Sequence, residues 1–292
     1  VTAGEPHWRA GGRVNDKTYQ LLHNVARAAC GNNQRKKRIQ VMLEHKVVAE
    51  LIGSDLVCSH DFDLSCDNCR MRVLCLPAAL DSHHLTAMEG IIEHRRQIKS
   101  GEFLYRQNET FTALYAILSG SIKTYSTHED GWIRITGCHM PGEIFGFSGI
   151  DDSHYRSTAS ALEDTLVCEI PFDGLEDLCR RIPDLQSRLL HLMSQRLVED
   201  HEMAAQFLHK RPAKKRIAAF LLGLSTRAAR RNESATELYL PMSRTDIGNY
   251  LGVTLETVCR ELARLEKSGV IRLKKRELTI LDVPRLREPV CE

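Results

Sequence analysis

Near its end the chain reads Ser243-Arg-Thr-Asp-Ile-Gly-Asn-Tyr-Leu-Gly-Val-Thr-Leu-Glu-Thr-Val-Cys-Arg-Glu-Leu-Ala-Arg-Leu265. Ser243 and Asp246 come close to a capping box, which predicts the start of a helix. Gly252 supplies the positive φ of a tight turn, and Thr254 caps the helix that follows. The stretch therefore predicts a DNA-binding helix-turn-helix, whose second helix enters the major groove. An ordinary pair of antiparallel helices is the alternative.

The second of these helices exposes residues that suit base recognition. Arginine can donate two hydrogen bonds to guanine O6 and N7, and glutamate can accept one from cytosine N4. The stretch 270–281 that follows predicts a β-hairpin wing, whose basic tip would meet phosphate. The predicted DNA-binding residues are Ser243, Thr254, Glu256, Cys259, Arg260 and Arg264.

Composition places the chain among ordinary globular proteins. It has 292 residues, 42% of them hydrophobic and 27% charged, which is enough for two domains. The net charge is only +2, but basic residues cluster at 209–216 and 274–276, which is typical of nucleic-acid binders and also of solvated helix faces. No apolar run approaches the roughly 18–20 residues that span a bilayer, and the first residues lack a signal-peptide core. We therefore expect a cytoplasmic protein that does not engage membranes.

Three cysteines lie close together in Cys66-Asp-Asn-Cys69-Arg-Met-Arg-Val-Leu-Cys75-Leu-Pro77, a C-x2-C-x5-C pattern. In a reducing cytosol such thiols predict a metal or iron–sulfur centre rather than disulfides. The pattern leaves zinc open, because zinc also takes four thiolates. A fourth ligand must come from elsewhere. Cys58 could complete a set of four local thiolates.

The chain divides by composition. Residues 1–50 predict a flexible extension, and Met42 is an alternative start of the protein. Residues 51–78 form the cysteine-rich segment. Residues 79–182 predict β-structure, because several short alternating runs are separated by glycines, as in a small barrel or roll.

Residues 183–209 predict one long helix with two apolar stripes. One stripe can pack on the roll and the other on a partner helix, which predicts a homodimer. The predicted dimer seam consists of Leu190, Met193, Leu197, Asp200 and Ala204. Two Asp200 carboxylates facing each other would repel. The alternative is that the helix leaves the seam before Asp200, which then lies in solvent.

Four motifs carry a family resemblance: Leu118-Ser-Gly-Ser-Ile-Lys123, Gly142-Glu-Ile-Phe-Gly-Phe147, Val167-Cys-Glu-Ile-Pro-Phe172 and Asp246-Ile-Gly-Asn-Tyr-Leu-Gly252. With them the chain resembles the CRP/FNR superfamily, and its cysteines place it near the FNR branch, the oxygen-responsive fumarate and nitrate reduction regulators. The resemblance implies an α+β fold. Its parts are an N-terminal double-stranded β-roll sensor domain of the cyclic-nucleotide-binding kind, a long dimerisation helix, a winged helix-turn-helix at 210–284 and a tail at 285–292.

The resemblance also implies a [4Fe–4S] cluster on Cys66, Cys69, Cys75 and Cys168. Read by itself, Cys168 alternates with inward-facing apolar residues and predicts a small buried side chain. The family precedent makes it the fourth ligand. In the family, oxygen destroys the cluster and the dimer separates. The intact dimer binds TTGAT-like palindromes and contacts RNA polymerase as an activator, here through the loop Thr127–Trp132. Cys259 departs from the family pattern, which has serine there.

Two other functions stay open at this point. Gly142-Glu143 and Arg156-Ser157 resemble the phosphate cassette of a cyclic-nucleotide receptor, in which an arginine holds the phosphate. An iron–sulfur redox protein is the alternative from a different class. The sequence shows no catalytic constellation, so we expect a regulator rather than an enzyme.

Overall fold

The computed structural model of the chain describes residues 65–92, 94–208 and 212–291. The predictions made for residues 1–64, including the flexible extension, Met42 and Cys58, lie outside the described residues. The described part forms seven α-helices and eleven β-strands, arranged in two four-stranded sheets and one three-stranded sheet. Within this part, no helix combines the length and the apolar character needed to cross a bilayer.

The elements follow one another in an α+β order. The helices are α1 (Ser82–Ile91), α2 (Phe172–Arg181), α3 (Pro183–Leu208), α4 (Ala213–Arg230), α5 (Arg244–Leu251), α6 (Leu255–Lys267) and α7 (Val283–Cys291). The strands are β1 (His94–Ile98), β2 (Phe103–Tyr105), β3 (Ala113–Ser119), β4 (Ile122–Thr127), β5 (Ile133–His139), β6 (Ile144–Phe145), β7 (Thr158–Ala161), β8 (Thr165–Pro171), β9 (Glu237–Tyr239), β10 (Ile271–Lys274) and β11 (Glu277–Ile280). Short 3₁₀ turns lie at Leu76–Ala79 and Phe147–Gly149.

Two antiparallel sheets form the predicted β-roll. Their strand orders are β1-β8-β3-β6 and β2-β7-β4-β5. The roll is filled by aromatic rings, and the rings of Tyr105 and Tyr155 stack with their centroids 3.8 Å apart. Stacked aromatic pairs add stability beyond the area that they bury. The roll predicted from alternation and glycine spacing is therefore confirmed.

The long helix α3 has two faces, as its two apolar stripes predict. Leu185 is fully buried, and Leu189 and Leu192 pack partly buried on the roll side. On the other face Leu190 and Leu197 are 58% and 57% exposed. A helix that leaves leucines in water on one stripe has an unfilled apolar seam.

The helix-turn-helix forms through the caps that the sequence predicts. The Ser243 hydroxyl accepts a hydrogen bond from the Asp246 amide, and the Thr254 hydroxyl accepts one from the Thr257 amide. Gly252 ends α5 at φ 63°. A Cβ at Gly248 would lie 2.8 Å from the Val253 carbonyl oxygen, so the close crossing needs glycine there. Strands β10 and β11 form the wing, and β9 completes a sheet of three.

Two stretches differ from the predictions. The region expected to be β from residue 79 begins with helix α1, which Asp81 caps through the His84 amide. The tail predicted at 285–292 is instead largely helix α7, which packs on α4 and buries Leu286 completely. Its start was readable, because Asp282 accepts a hydrogen bond from the Arg285 amide and proline is favoured in a first helical turn. Pro289 lies inside this helix, where proline is ordinarily unfavourable.

Candidate metal centre and nucleic-acid interface

The cysteine segment folds as consecutive hydrogen-bonded turns, which together we call the cysteine turn (Cys69–Cys75). The Arg72 amide donates to the Cys69 carbonyl at 3.0 Å, and the Cys75 amide donates to the Met71 carbonyl at 3.0 Å. Just before it, the Cys66 amide donates to the Glu89 carboxylate of α1 at 2.5 Å. Helix α1, which the sequence did not predict, thus anchors the start of the segment.

Cys168 reaches the same place from the middle of a sheet. It lies on β8, opposite Arg95 of β1 and Ala116 of β3. Its side chain is only 7% exposed and belongs to the same apolar cluster as Cys66, which is 6% exposed. Cys75 packs against this cluster as well. The structure therefore brings the remote cysteine to the local group across about a hundred residues of sequence.

The thiols influence one another electrostatically, as neighbours must. Burial, followed by the nearby Cys168 thiol, raises the pKa of Cys66 to about 12. Burial also raises the pKa of the Cys168 thiol, an effect that Arg95 opposes and Cys69 reinforces. Cys75 has its pKa raised by burial, with smaller contributions from the other three thiols. Protonated buried thiols become ligands only when a cation displaces their protons.

The donor set fits an iron–sulfur cluster in its chemistry. All four cysteines are free thiols, and a four-iron cluster takes one thiolate at each iron. Among the described residues, no three His, Cys, Asp or Glu side chains are grouped tightly enough to hold a single metal ion. That finding concerns single ions, and a four-iron cluster spreads its ligands around a larger body.

Arg188 of α3 is a residue that sequence reasoning missed. Its guanidinium donates to the carbonyls of Leu74 at 2.8 Å, Cys75 at 3.2 Å and Val73 at 3.4 Å. These carbonyls lie at the end of the cysteine turn, and that of Cys75 also accepts from the Ala78 amide at 3.3 Å. The long helix therefore binds the main chain of the cysteine turn through the Arg188 side chain. Only folding reveals this, because the donor and acceptors are more than a hundred residues apart.

Replacing Arg188 by alanine should loosen the cysteine turn, because the carbonyls of Val73, Leu74 and Cys75 lose the Arg188 guanidinium. Among the described residues, only the Cys75 carbonyl keeps another donor, the Ala78 amide. Hydrogen exchange of the Leu74 and Cys75 amides should quicken by roughly tenfold, as expected for the loss of about 1–1.5 kcal/mol of hydrogen bonding. Arg180→Ala is the matched control, since Arg180 pairs with surface acids of its own helix α2. Equal exchange in both variants would show that Arg188 does not hold the turn.

The side chains of α6 that the sequence assigns to base recognition are exposed. On α6 the Glu256, Arg260 and Arg264 side chains are 88%, 61% and 69% exposed, and Cys259 is exposed too. Ser243 and Thr254 use hydrogen bonds in the caps, so they set the helix starts as well as lying at the surface. The exposed side chains that are not used in a helix cap, and that could contact a base edge, are therefore those of α6.

The wing and the β4–β5 loop complete the exposed surface. Lys274 and Lys275 lie exposed at the wing tip, with Lys275 at φ 57°. In the loop Thr127–Trp132, the His128 amide donates to the Trp132 carbonyl at 2.9 Å. Trp132 itself is 53% exposed. An ordered loop that presents an aromatic ring to solvent is a suitable contact surface for another protein.

The residues that resemble a phosphate cassette do not come together. Arg156 lines a cavity of about 290 Å³ in the roll and pairs with Asp152 at 2.7 Å. Glu143 points elsewhere, and its carboxylate is bound by Arg227 of α4. A cyclic nucleotide would need both groups in one pocket, so the arrangement gives this alternative no support.

Two family models match the chain. Residues 95–182 match the family model described as a cyclic nucleotide-binding domain, and residues 215–289 match the Crp-like helix-turn-helix domain. The chain is 42% identical over 217 residues to the transcriptional activator protein FnrA of Stutzerimonas stutzeri, covering 74% of this chain and 88% of that protein. It is also 42% identical to the fumarate and nitrate reduction regulatory protein of Escherichia coli K12, with 74% and 86% covered.

Solved structures agree with these relatives. FixK2 from Bradyrhizobium japonicum is similar with a TM-score of 0.60 and 28% identity, over 66% of this chain and 95% of that one. A CRP-family transcriptional regulator from Thermus thermophilus shares the fold at a TM-score of 0.54 and 20% identity, over 68% and 97%. The relatives regulate transcription and are not enzymes. With its β-roll, long helix and winged helix-turn-helix, the chain belongs to the CRP/FNR family of DNA-binding transcription regulators.

Proposed function

We propose that the protein is an oxygen-responsive transcription regulator of the FNR kind, which works in the cytoplasm. It binds a [4Fe–4S] cluster through Cys66, Cys69, Cys75 and Cys168. The observation that carries the proposal is that Cys66 and Cys168 of β8 lie in one buried apolar cluster, against which Cys75 packs. When bound, the cluster supplies a redox-sensitive link between these cysteines, and its loss in oxygen is the signal that oxygen is present.

Residues of the protein couple the cluster site to the roll and to the long helix α3. Cys168 belongs to the central strand β8, and the cysteine turn is gripped by Arg188 of α3. Ligands drawn from both places join the roll and the long helix into one unit. Losing the ligation frees the cysteine turn and, through Arg188, the helix that carries the seam Leu190, Met193, Leu197, Asp200 and Ala204.

The output of the switch is DNA binding by a homodimer. Two copies joined along α3 present two α6 helices, as a palindrome requires. Glu256 and Arg260 are assigned to bases of a TTGAT-like half-site, with Cys259, Arg264 and the capped starts at Ser243 and Thr254 beside them. The loop Thr127–Trp132 is assigned to RNA polymerase.

Anaerobic purification tests the proposal directly. The expected product is a brown protein with about four iron and four sulfide per chain, whose colour bleaches in air while DNA binding is lost. Aerobic apo-protein in the same assay is the control. A colourless protein that holds zinc would contradict the proposal. Heat released on titration with cAMP would instead favour a cyclic-nucleotide receptor.

A further inference from the structure

We propose that Glu143 and Arg227, together with Gly142, form a link within one subunit between the cysteine turn and the DNA-reading helices. The link rests on the cluster assignment above and adds a second route from the cluster to DNA. Dimerisation decides whether two reading helices are present together. The Glu143–Arg227 pair decides how each of them is held against its own roll.

Arg227 anchors α4, the first helix of the DNA-binding domain, to the roll. Its guanidinium donates to both carboxylate oxygens of Glu143 and to the Cys138 carbonyl. The Arg227 and Glu143 side chains are only 18% and 28% exposed. Breaking a pair as enclosed as this by removing one partner leaves the other charge poorly solvated, so the geometry is strongly held.

Glu143 directly follows a glycine that packs against the cysteine turn. The preceding Gly142 has φ +85°, and a Cβ there would lie 2.7 Å from Leu74 Cδ1 and 3.3 Å from Met71 Sδ. Leu74 is the residue whose carbonyl receives the shortest hydrogen bond from Arg188. Leu74 is therefore bound by Arg188 of α3 through its carbonyl and packs through its side chain against the backbone that carries the carboxylate.

The turn that carries Glu143 is stiff enough to transmit a displacement. The Gly142 amide donates to the Ile117 carbonyl at 2.8 Å, and the Ile117 amide donates to the Glu143 carbonyl at 3.1 Å. Close-packed elements respond to a small shift by moving together rather than by deforming. A movement of Leu74 thus reaches the Glu143 carboxylate through one residue.

Two further contacts dock the same domain on the roll. Lys123 of β4 pairs with Asp246 of α5 at 2.8 Å. The Asn249 side chain donates to the Ile133 carbonyl and accepts from the Ile135 amide, both at 2.7 Å. These contacts hold α5 on strands β4 and β5. Of these contacts, the Glu143–Arg227 pair is the one whose carboxylate directly follows Gly142, the residue that packs against the cysteine turn.

The decisive variant is Glu143→Gln, which keeps the side-chain shape and removes the charge. In the anaerobic full-length protein, iron content and the dimer fraction should equal those of the wild type. DNA affinity should fall by about tenfold, within the usual range for coupling between sites. Arg230→Gln is the control, because Arg230 lies on the same helix but pairs at 3.3 Å with Glu199 in an exposed position.

A second variant and a second measurement separate the link from a folding defect. Arg227→Gln and the double variant should lose no more affinity than Glu143→Gln alone, because the two residues act as one unit. Amides of α4 should exchange faster in these variants, while those of β3 stay protected. Additive losses, or wild-type affinity with a full cluster and dimer, would overturn the link. Absence of iron from the wild type would instead overturn the function proposed above.

Discussion

The Cys168→Ala protein should fold normally yet retain no four-iron cluster and no oxygen-dependent DNA binding. Cys168 is assigned as the ligand from β8, and the other three thiols lie before α1. Without it, one iron has no protein thiolate and the cysteine turn is no longer tied to the roll. Loss of one buried sulfur should cost folding only about 1 kcal/mol. Iron and sulfide analysis of anaerobic protein, with thermal unfolding beside it, measures both effects.

Cys179→Ala gives a closely matched control for this experiment. Cys179 of α2 lies in the same apolar cluster and is also 7% exposed. Burial, with Glu176, raises the pKa of its thiol, and no other cysteine of the described residues contributes. This variant should keep its cluster and show the same small loss of packing. Iron retained in full by Cys168→Ala would show that another thiol, with Cys58 the first candidate, is the fourth ligand.

The Asp200→Ala protein should form dimers and bind DNA in air. Burial raises the pKa of the Asp200 carboxyl, although Arg196, 2.8 Å away on the same helix, opposes the shift. On a two-fold seam this carboxylate faces its copy, and two like charges at close range repel. Removing both should tighten dimerisation by about tenfold or more, which corresponds to ~1.4 kcal/mol. Sedimentation of cluster-free protein measures the dimer fraction.

The same carboxylate predicts how the wild-type dimer responds to pH. Approach of the two copies raises both carboxyl pKa values further, so the dimer binds more protons than two monomers do. Association of the cluster-free wild type should therefore strengthen as the pH falls toward the raised pKa of the Asp200 carboxyl. The Asp200→Ala protein should lose that dependence. Asp184→Ala, at the exposed start of the same helix, is the control. An aerobic Asp200→Ala protein that stays monomeric would place Asp200 outside the seam.

Local signals in the sequence were enough to predict the helix-turn-helix. Caps at Ser243 and Thr254 and the glycine at 252 act within one turn of the residues that they affect, so spacing alone identifies them. The roll was readable for a related reason, because alternation reports which face of a strand is buried. Helix α7 was missed where two local signals conflicted, since Asp282 and Pro284 start a helix that Pro289 argues against.

The chain by itself determined the element types, the exposed recognition helix and the three local cysteines. Each depends on neighbours a few residues away. Only the tertiary structure brought Cys168 beside the cysteine turn, set Arg188 on its carbonyls and joined Glu143 to Arg227. Sequence spacing is silent about such contacts, because they depend on which faces of distant elements pack together. The family precedent pointed to Cys168, but its position against the cysteine turn is decided by the register of β8 between β1 and β3.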